Sequence, residues 1–368
     1  MAWSFGRMLN SVQSACYVAL LALTAASNFV LVPVNAQLII SATSIVYIGA
    51  TLSLKLKQKR DAAGEKNDEA MTKEDAYMFP VVGSCMLLGL YILFKFFDKD
   101  MVNLLLTSYF ALIGTYSLTE AFSPLVRAVA FSETERHYKR SIALPYFGAH
   151  VLDVTPSWCV TGVLAALFAA AWFQTKHFVL NNIFGISLSI KGIESLSLGS
   201  YKVGAILLCG LFFYDIFWVF GTDVMVTVAT KFDGPIKLLF PRAFATATEK
   251  AKFSILGLGD IVIPGIFVAL LLRFDAHMAK ATTAGDAFPK PYFHINILFY
   301  VLGLVATVVV MIVFNAAQPA LLYLVPACLG SSLLTALARG ELKELLAYSE
   351  EDEEESKDAT PAEAKKDQ

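Results

Sequence analysis

The sequence predicts an all-α, polytopic membrane protein of about nine transmembrane helices, and three observations carry that expectation. Of the 368 residues, 57% are hydrophobic and only 16% charged, against roughly 45–50% and about 25% in ordinary soluble proteins. Eleven of the 31 acids crowd between Glu341 and Gln368, so the preceding body is poorer still in charge. Mostly apolar runs of about 20 residues, the length that crosses a bilayer core as a helix, recur along that body.

In order, the runs are Gln37 to Leu54, Tyr77 to Phe97, Met101 to Ala121, Thr155 to Phe173, Phe178 to Leu198, Val203 to Gly221, Ile255 to Phe274, Tyr292 to Phe314 and Pro319 to Leu337. The eighth is the clearest, because Ile297 to Phe314 carries no charge. The fifth is the weakest, because Lys191 and Glu194 sit inside it, and these two are expected to pair locally or to face protein rather than to mark a site. A further run, Cys16 to Val34, follows Arg7 and passes through Ala25, Ala26 and Ser27. It reads equally as a cleaved signal peptide, a tenth span, or a hairpin partner of the first helix broken at Pro33.

Orientation follows from the basic residues. With a lumenal N-terminus, a nine-span chain places 19 Lys and Arg on the cytosolic side and nine outside, which satisfies the positive-inside rule and puts the C-terminus in the cytosol. Glu350 to Glu355, and the Lys, Asp, Ala and Glu mixture beyond, read as a solvated, disordered tail. The expected organisation is therefore an N-terminal apolar segment over 1–36, a membrane domain over 37–348 and a disordered cytosolic tail over 349–368. Lys365 and Lys366, four and three residues from the end, resemble the dilysine retrieval signal of endoplasmic-reticulum membrane proteins.

Several classes of chemistry are disfavoured. The net charge of -2, with no basic block beside exposed aromatics, leaves no footprint for nucleic acid. Cys16, Cys85, Cys159, Cys209 and Cys328 show no CxxC pairing and are expected as buried free thiols. The five histidines are scattered and no HExxH occurs, so no metal and no cofactor is expected.

Two carboxylates need a reason. Asp215 lies in Leu211 to Trp218 and Asp260 in Leu256 to Ile263, apolar stretches with no basic partner of their own, although an intramembrane aspartate costs about 2.5–3.5 kcal/mol on insertion scales. Their spans are consecutive and antiparallel. Counted from the shared lumenal side, Asp215 lies roughly six residues before the end of its helix and Asp260 roughly five after the start of its own, both about 7–10 Å deep at about 1.5 Å per residue. Facing carboxylates in a low-dielectric site share one proton, leaving a base and an acid. Gly257 and Gly259 would let the backbone before Asp260 unwind and approach an extended peptide, and Tyr214 stands beside Asp215. Paired membrane carboxylates also serve proton- or cation-coupled transporters, so the two aspartates alone leave both readings open. Gln318-Pro319-Ala320-Leu321 opens the ninth span, where Pro319 suits a first helical turn or leaves nearby backbone free for a substrate.

Together these residues resemble the intramembrane aspartyl proteases of the presenilin and signal peptide peptidase group. That group's YD, GxGD and PAL motifs are matched by Tyr214-Asp215, Gly257-Leu258-Gly259-Asp260 and Pro319-Ala320-Leu321, in order and on the sixth, seventh and ninth spans. The likeness is closer to the signal peptide peptidase branch over Phe213 to Gly221, Pro235 to Pro241, Leu256 to Asp275 and Gln318 to Cys328. It implies a presenilin-like fold with Asp215 and Asp260 catalytic and with Tyr214, Gly257, Leu258, Gly259, Gln318, Pro319, Ala320 and Leu321 about the substrate. It further implies a membrane enzyme whose substrates are leftover signal peptides and other type II membrane segments. Residence in the endoplasmic-reticulum membrane is expected from the dilysine ending, and contact with lipid from the apolar body. A homo-oligomer is left open. Met1 to Val34 and Glu350 to Gln368 match no motif of the family.

Overall fold

The computed structural model describes residues 11–64, 70–130, 138–144, 148–232, 234–244, 251–281, 287–314 and 318–350. Among them, nine long helices follow the nine expected spans: Val34–Ala63 (α2), Lys73–Phe96 (α3), Lys99–Ala130 (α4), Pro156–Thr175 (α5), Phe178–Ser195 (α6), Tyr201–Phe220 (α7), Gly259–Met278 (α9), Pro291–Phe314 (α10) and Leu321–Arg339 (α11). Eight are long and apolar enough to cross a membrane. The exception is α6, whose Asn181, Asn182, Lys191 and Glu194 lower its hydropathy. Its lysine and glutamate pair within the helix at 3.3 Å, as expected.

Local chemistry sets the helix ends. Thr72 and Asp75 form a reciprocal capping box at the start of α3, and Thr155 caps α5, with Pro156 at its first position. Asp275, near the end of α9, accepts the amide hydrogens of Tyr292 and Phe293 at 3.3 and 2.9 Å. It thus places a carboxylate on the positive end of α10. α2 and α11 stop at Gly64 and Gly340, both in the left-handed region.

The core is organised around α9. Pro264 through Ala276 is buried without a break, so this helix is covered on every face by protein, its two charged members there, Arg273 and Asp275, included. It packs against α2, α6, α7, α10 and α11. α3 is its opposite, burying only Ala76 and Phe94. Three helices close on Ile193: a Cβ on Gly49 would fall 2.7 Å from its Cβ, and one on Gly265 would fall 2.5 Å from its Cδ1. Small residues let α2, α6 and α9 approach where apolar side chains would gain nothing over lipid.

The run after Arg7 contains helix Ser11–Ala26 (α1), which packs on α2. The two are antiparallel, since Gln13 Oε1 accepts from Lys55 Nζ at 3.3 Å. Leu20 joins the main core, with Cys16 and Tyr17 packed against it.

Several expectations need correction. Two antiparallel hairpins stand beside the helices, Tyr138–Leu144 (β1) with Gly148–Val154 (β2), and Lys237–Ala243 (β3) with Lys252–Gly257 (β4). The seventh span therefore begins at Gly259 rather than Ile255, because 255–257 are extended and paired to β3. Pro319 precedes α11 rather than lying in its first turn. All five thiols are free, but only Cys328 is buried. Cys85, Cys159 and Cys209 are exposed and Cys16 lies between, since lipid accepts a thiol as readily as a core does. Short helices Val224–Lys231 (α8) and Leu342–Ala347 (α12) complete the described fold. Ser349 and Glu350, expected in the tail, are packed: Ser349 bridges Ser200, and Glu350 is 3% exposed. Lys365 and Lys366 lie outside the described residues.

Candidate active site

Asp215 lies five residues before the end of α7 and is buried. The Leu211–Phe220 stretch of α7 is Asp215 plus aromatic and aliphatic residues, and the helix's one basic residue, Lys202, lies at its far end. What the carboxyl has is a helix N-terminus. Its Oδ2 accepts the backbone N–H of Leu321 at 3.0 Å, the first residue of α11, whose opening amides have no partner within their helix. Pro319 and Ala320, both buried, end the preceding chain there. The PAL segment thus supplies a fixed hydrogen-bond donor and the positive end of a helix dipole to Asp215.

Asp260 is the second residue of α9, with Leu258 as the capping position and Gly259 between. It too stands at a helix N-terminus, one turn shallower than the sequence alone suggests. The extended β4 runs straight into it: a Cβ on Gly257 would lie 3.3 Å from Asp260 Oδ2, so only glycine leaves that flank open. The charges of Asp215 and Asp260 are close enough to interact. α7, α9 and α11 therefore bring the two carboxyls and the Leu321 amide together, from positions up to 106 residues apart.

The other expected residues divide. Gly257 and Gly259 border Asp260. The Tyr214 ring belongs to the contact between α7 and α3, tilted at 56° to Trp218 with centroids 6.2 Å apart and packed against Gly83, where a Cβ would meet its Cε2 at 3.5 Å. Leu258 donates its N–H to Ile236 O at 2.9 Å and packs its side chain toward Gly185 on α6. Gln318 Oε1 accepts from Tyr323 OH at 3.3 Å, within its own segment.

Two features escaped the sequence reading. The hydroxyl of Tyr300 on α10 is fully buried with no partner among the described residues, and it lies within electrostatic range of Asp260. Asn181 and Asn182 on α6 bind the backbone of β3. A pair of carboxamides in an otherwise apolar run was a signal available for the second.

Comparison with known proteins agrees with this architecture. A family model described as signal peptide peptidase matches residues 63–352. The chain is 39% identical to the signal peptide peptidase of Homo sapiens over 349 residues, covering 90% of this chain and 88% of the relative. It is 41% identical to that of Mus musculus over 328 residues, covering 85% and 82%. It is 53% identical over 182 residues to intramembrane protease 2 of Caenorhabditis elegans, covering 48% and 39%. With the family model spanning more than half of it and two relatives matched over most of their length, this multi-pass membrane chain belongs to the signal peptide peptidase family of intramembrane proteases.

Proposed function

We propose that this protein is an aspartic endopeptidase that hydrolyses peptide bonds inside signal peptides and other type II membrane segments, with Asp215 and Asp260 as its catalytic pair. The observation that carries the reading is the meeting of three separated motifs, with the Leu321 amide on Asp215 and the Asp260 carboxyl within electrostatic range of it. The ionised aspartate takes a proton from a water held between the two, and that water attacks the scissile carbonyl. The protonated aspartate hydrogen-bonds the carbonyl oxygen, and the proton is passed to the amine as the C–N bond breaks. No covalent intermediate is needed. The family does not favour the transporter alternative.

A membrane helix hides its peptide bonds in its own hydrogen bonds, so the substrate must unwind before it can be cut. β4 offers replacement partners in extended form, directly before Asp260, which is strand addition at a sheet edge. The purified protein in detergent should cut a type II segment, and a transition-state mimic of peptide hydrolysis should stop it. A substrate that survives intact would overturn the assignment.

Orientation sets which segments qualify. In our reading α2 starts on the lumenal side and α11 ends in the cytosol, consistent with the excess of basic residues at that end. A lumenal N-terminus then holds for a chain beginning after α1, because α1 folds back to the Lys55 end of α2. Residence in the endoplasmic reticulum is assigned to the tail. Replacing Lys365 and Lys366 together with Ser should move part of the protein to later compartments, seen by organelle fractionation. An unchanged distribution would remove that signal.

A further inference from the structure

The β3–β4 hairpin has two outer edges, and the structure treats them differently. On β3, the Asn182 side chain acts as a short piece of strand: its Oδ1 accepts the Leu239 N–H at 2.8 Å, and its Nδ2 donates to the Leu239 carbonyl at 2.8 Å. Asn181 Nδ2 adds a bond to the Lys237 carbonyl at 2.9 Å. Both carboxamides are buried, at 6% and 3% exposure. α6 approaches closely enough for this because of Gly185, where a Cβ would fall 2.8 Å from Leu238 Cδ2.

In an antiparallel pair, residues alternate between those bonded to the partner strand and those whose N–H and C=O point outward. Leu239 points outward to Asn182, so its partner Ile255 points outward on the opposite edge, as do Gly257 opposite Lys237 and Phe253 opposite Pro241. Pro241, which has no N–H, sits where none is needed for the ladder. Among the described residues no backbone hydrogen bond occupies the outward edge of β4 at Ile255 or Gly257, and Ile255 is 52% exposed. That edge ends three residues before Asp260.

We propose that Asn182 is a positioning residue of the protease: its carboxamide closes the β3 edge and fixes the hairpin register, so that an extended substrate adds only along β4, with Gly257 delivering it to Asp260. The inference rests on the protease reading above and adds what determines which bond is cut. A one-residue slip of β3 against β4 would exchange outward for inward groups on β4 and misplace the substrate strand relative to the dyad. A displacement of that kind costs far more than the hydrogen bonds themselves, because the reacting atoms must be held to within about an ångström.

The test uses the full chain in detergent, a single type II substrate, and mass spectrometry of both product ends. Asn182→Leu removes both hydrogen bonds; it should lower the cleavage rate at least about tenfold and spread cleavage over neighbouring bonds. A second background, free of the native cysteines, carries Leu239→Cys with Ile255→Cys, a directly opposed pair on the exposed face of the hairpin. Once that disulfide locks the register, adding Asn182→Leu should leave the cleavage position as it was in the locked parent. Where Asn182→Leu is poorly folded by its thermal midpoint, Asn182→Asp, which keeps size and acceptor but loses the donor, is read in the same way. A single unshifted site at wild-type rate in the unlocked Asn182→Leu or Asn182→Asp variant overturns the proposal, and so does spreading that persists in the locked background. Failure of the wild-type protein to cut at all would instead overturn the protease reading.

Discussion

Asp215→Asn and Asp260→Asn should each abolish proteolysis while leaving the protein inserted and folded. Asparagine keeps the volume and still offers the Leu321 N–H an oxygen, so the hydrogen bond that ties α7 to α11 at 3.0 Å survives the first substitution. At Asp260 the carboxamide still fits beside Gly257. What is lost is the shared proton: with one carboxyl replaced, no ionised and protonated pair exists to take the water proton and polarise the scissile carbonyl at the same moment. General acid–base catalysis contributes roughly 10²–10⁴-fold, and here either change disables both halves of it. The losses should therefore not add, and the double mutant should be no worse than either single mutant. Cleavage product on a gel, scored beside thermal midpoint and expression, decides the matter. Residual activity above a few per cent in either single mutant would rule out the dyad. If instead the pair served ion movement, wild-type protein in detergent would leave a type II segment intact and ion flux would follow the same substitutions.

How much of this was legible in the sequence depends on the scale of the signal. Nine helices could be read because about 20 apolar residues in succession have few other fates, and the two aspartates because a bare carboxylate in such a run needs a partner. The hairpins could not. Lys237–Ala243 contains Pro241 and reads Leu-Leu-Phe-Pro-Arg, an apolar run without the period that separates strand from buried helix. Ile255, Leu256 and Gly257 continue into the apolar α9, so composition alone extended the span through them. Tyr214 enters with the Tyr-Asp motif; its ring packs against Gly83 on α3, a contact no sequence signal marks, and it lies within electrostatic range of Asp215. Asn181 and Asn182 carry no charge, so the charge pattern that marks Lys191 and Glu194 in the same span leaves them unmarked. Glu350 was taken into the tail because it opens an acidic run, although its own environment is a buried one that only tertiary contacts reveal.

That glutamate should be the largest determinant of stability outside the core. Its Oε1 accepts from Arg273 Nε at 2.6 Å and from Tyr348 OH at 3.2 Å, with Lys57 Nζ at 3.5 Å. Arg273 also reaches Ser53 Oγ at 2.7 Å. The backbone of the same segment pairs with the start of α7, through Glu350 N–H to Gly199 O at 2.8 Å and Tyr201 N–H to Tyr348 O at 3.3 Å. One short stretch of chain thus clasps α2, α7 and α9 at the end opposite Asp215 and Asp260, and two of those helices carry the aspartates proposed as the catalytic pair. Burial alone would raise the Glu350 carboxyl, but the Arg273 and Lys57 charges, with the hydrogen bonds from Arg273 and Tyr348, outweigh it and hold the group below its ordinary range. Because the folded value is depressed, the stabilisation is complete above the ordinary glutamate pKa of about 4.3 and is lost as pH falls through the lower folded value. The thermal midpoint in detergent should accordingly drop on acidification below about pH 4.3, and less so in Glu350→Gln. Removing the carboxylate altogether with Glu350→Ala leaves Arg273 buried with its principal counter-charge gone, a situation that costs about 3–5 kcal/mol, or at least about 5 °C in midpoint. Replacing both partners, as in Arg273→Met with Glu350→Leu, should recover most of that loss, because the desolvation cost of the two charges disappears with them. Truncation after Glu350 should leave the midpoint unchanged, whereas truncation after Tyr348 should lower it as Glu350→Ala does. Equal midpoints for the two truncations would show that the clasp contributes nothing.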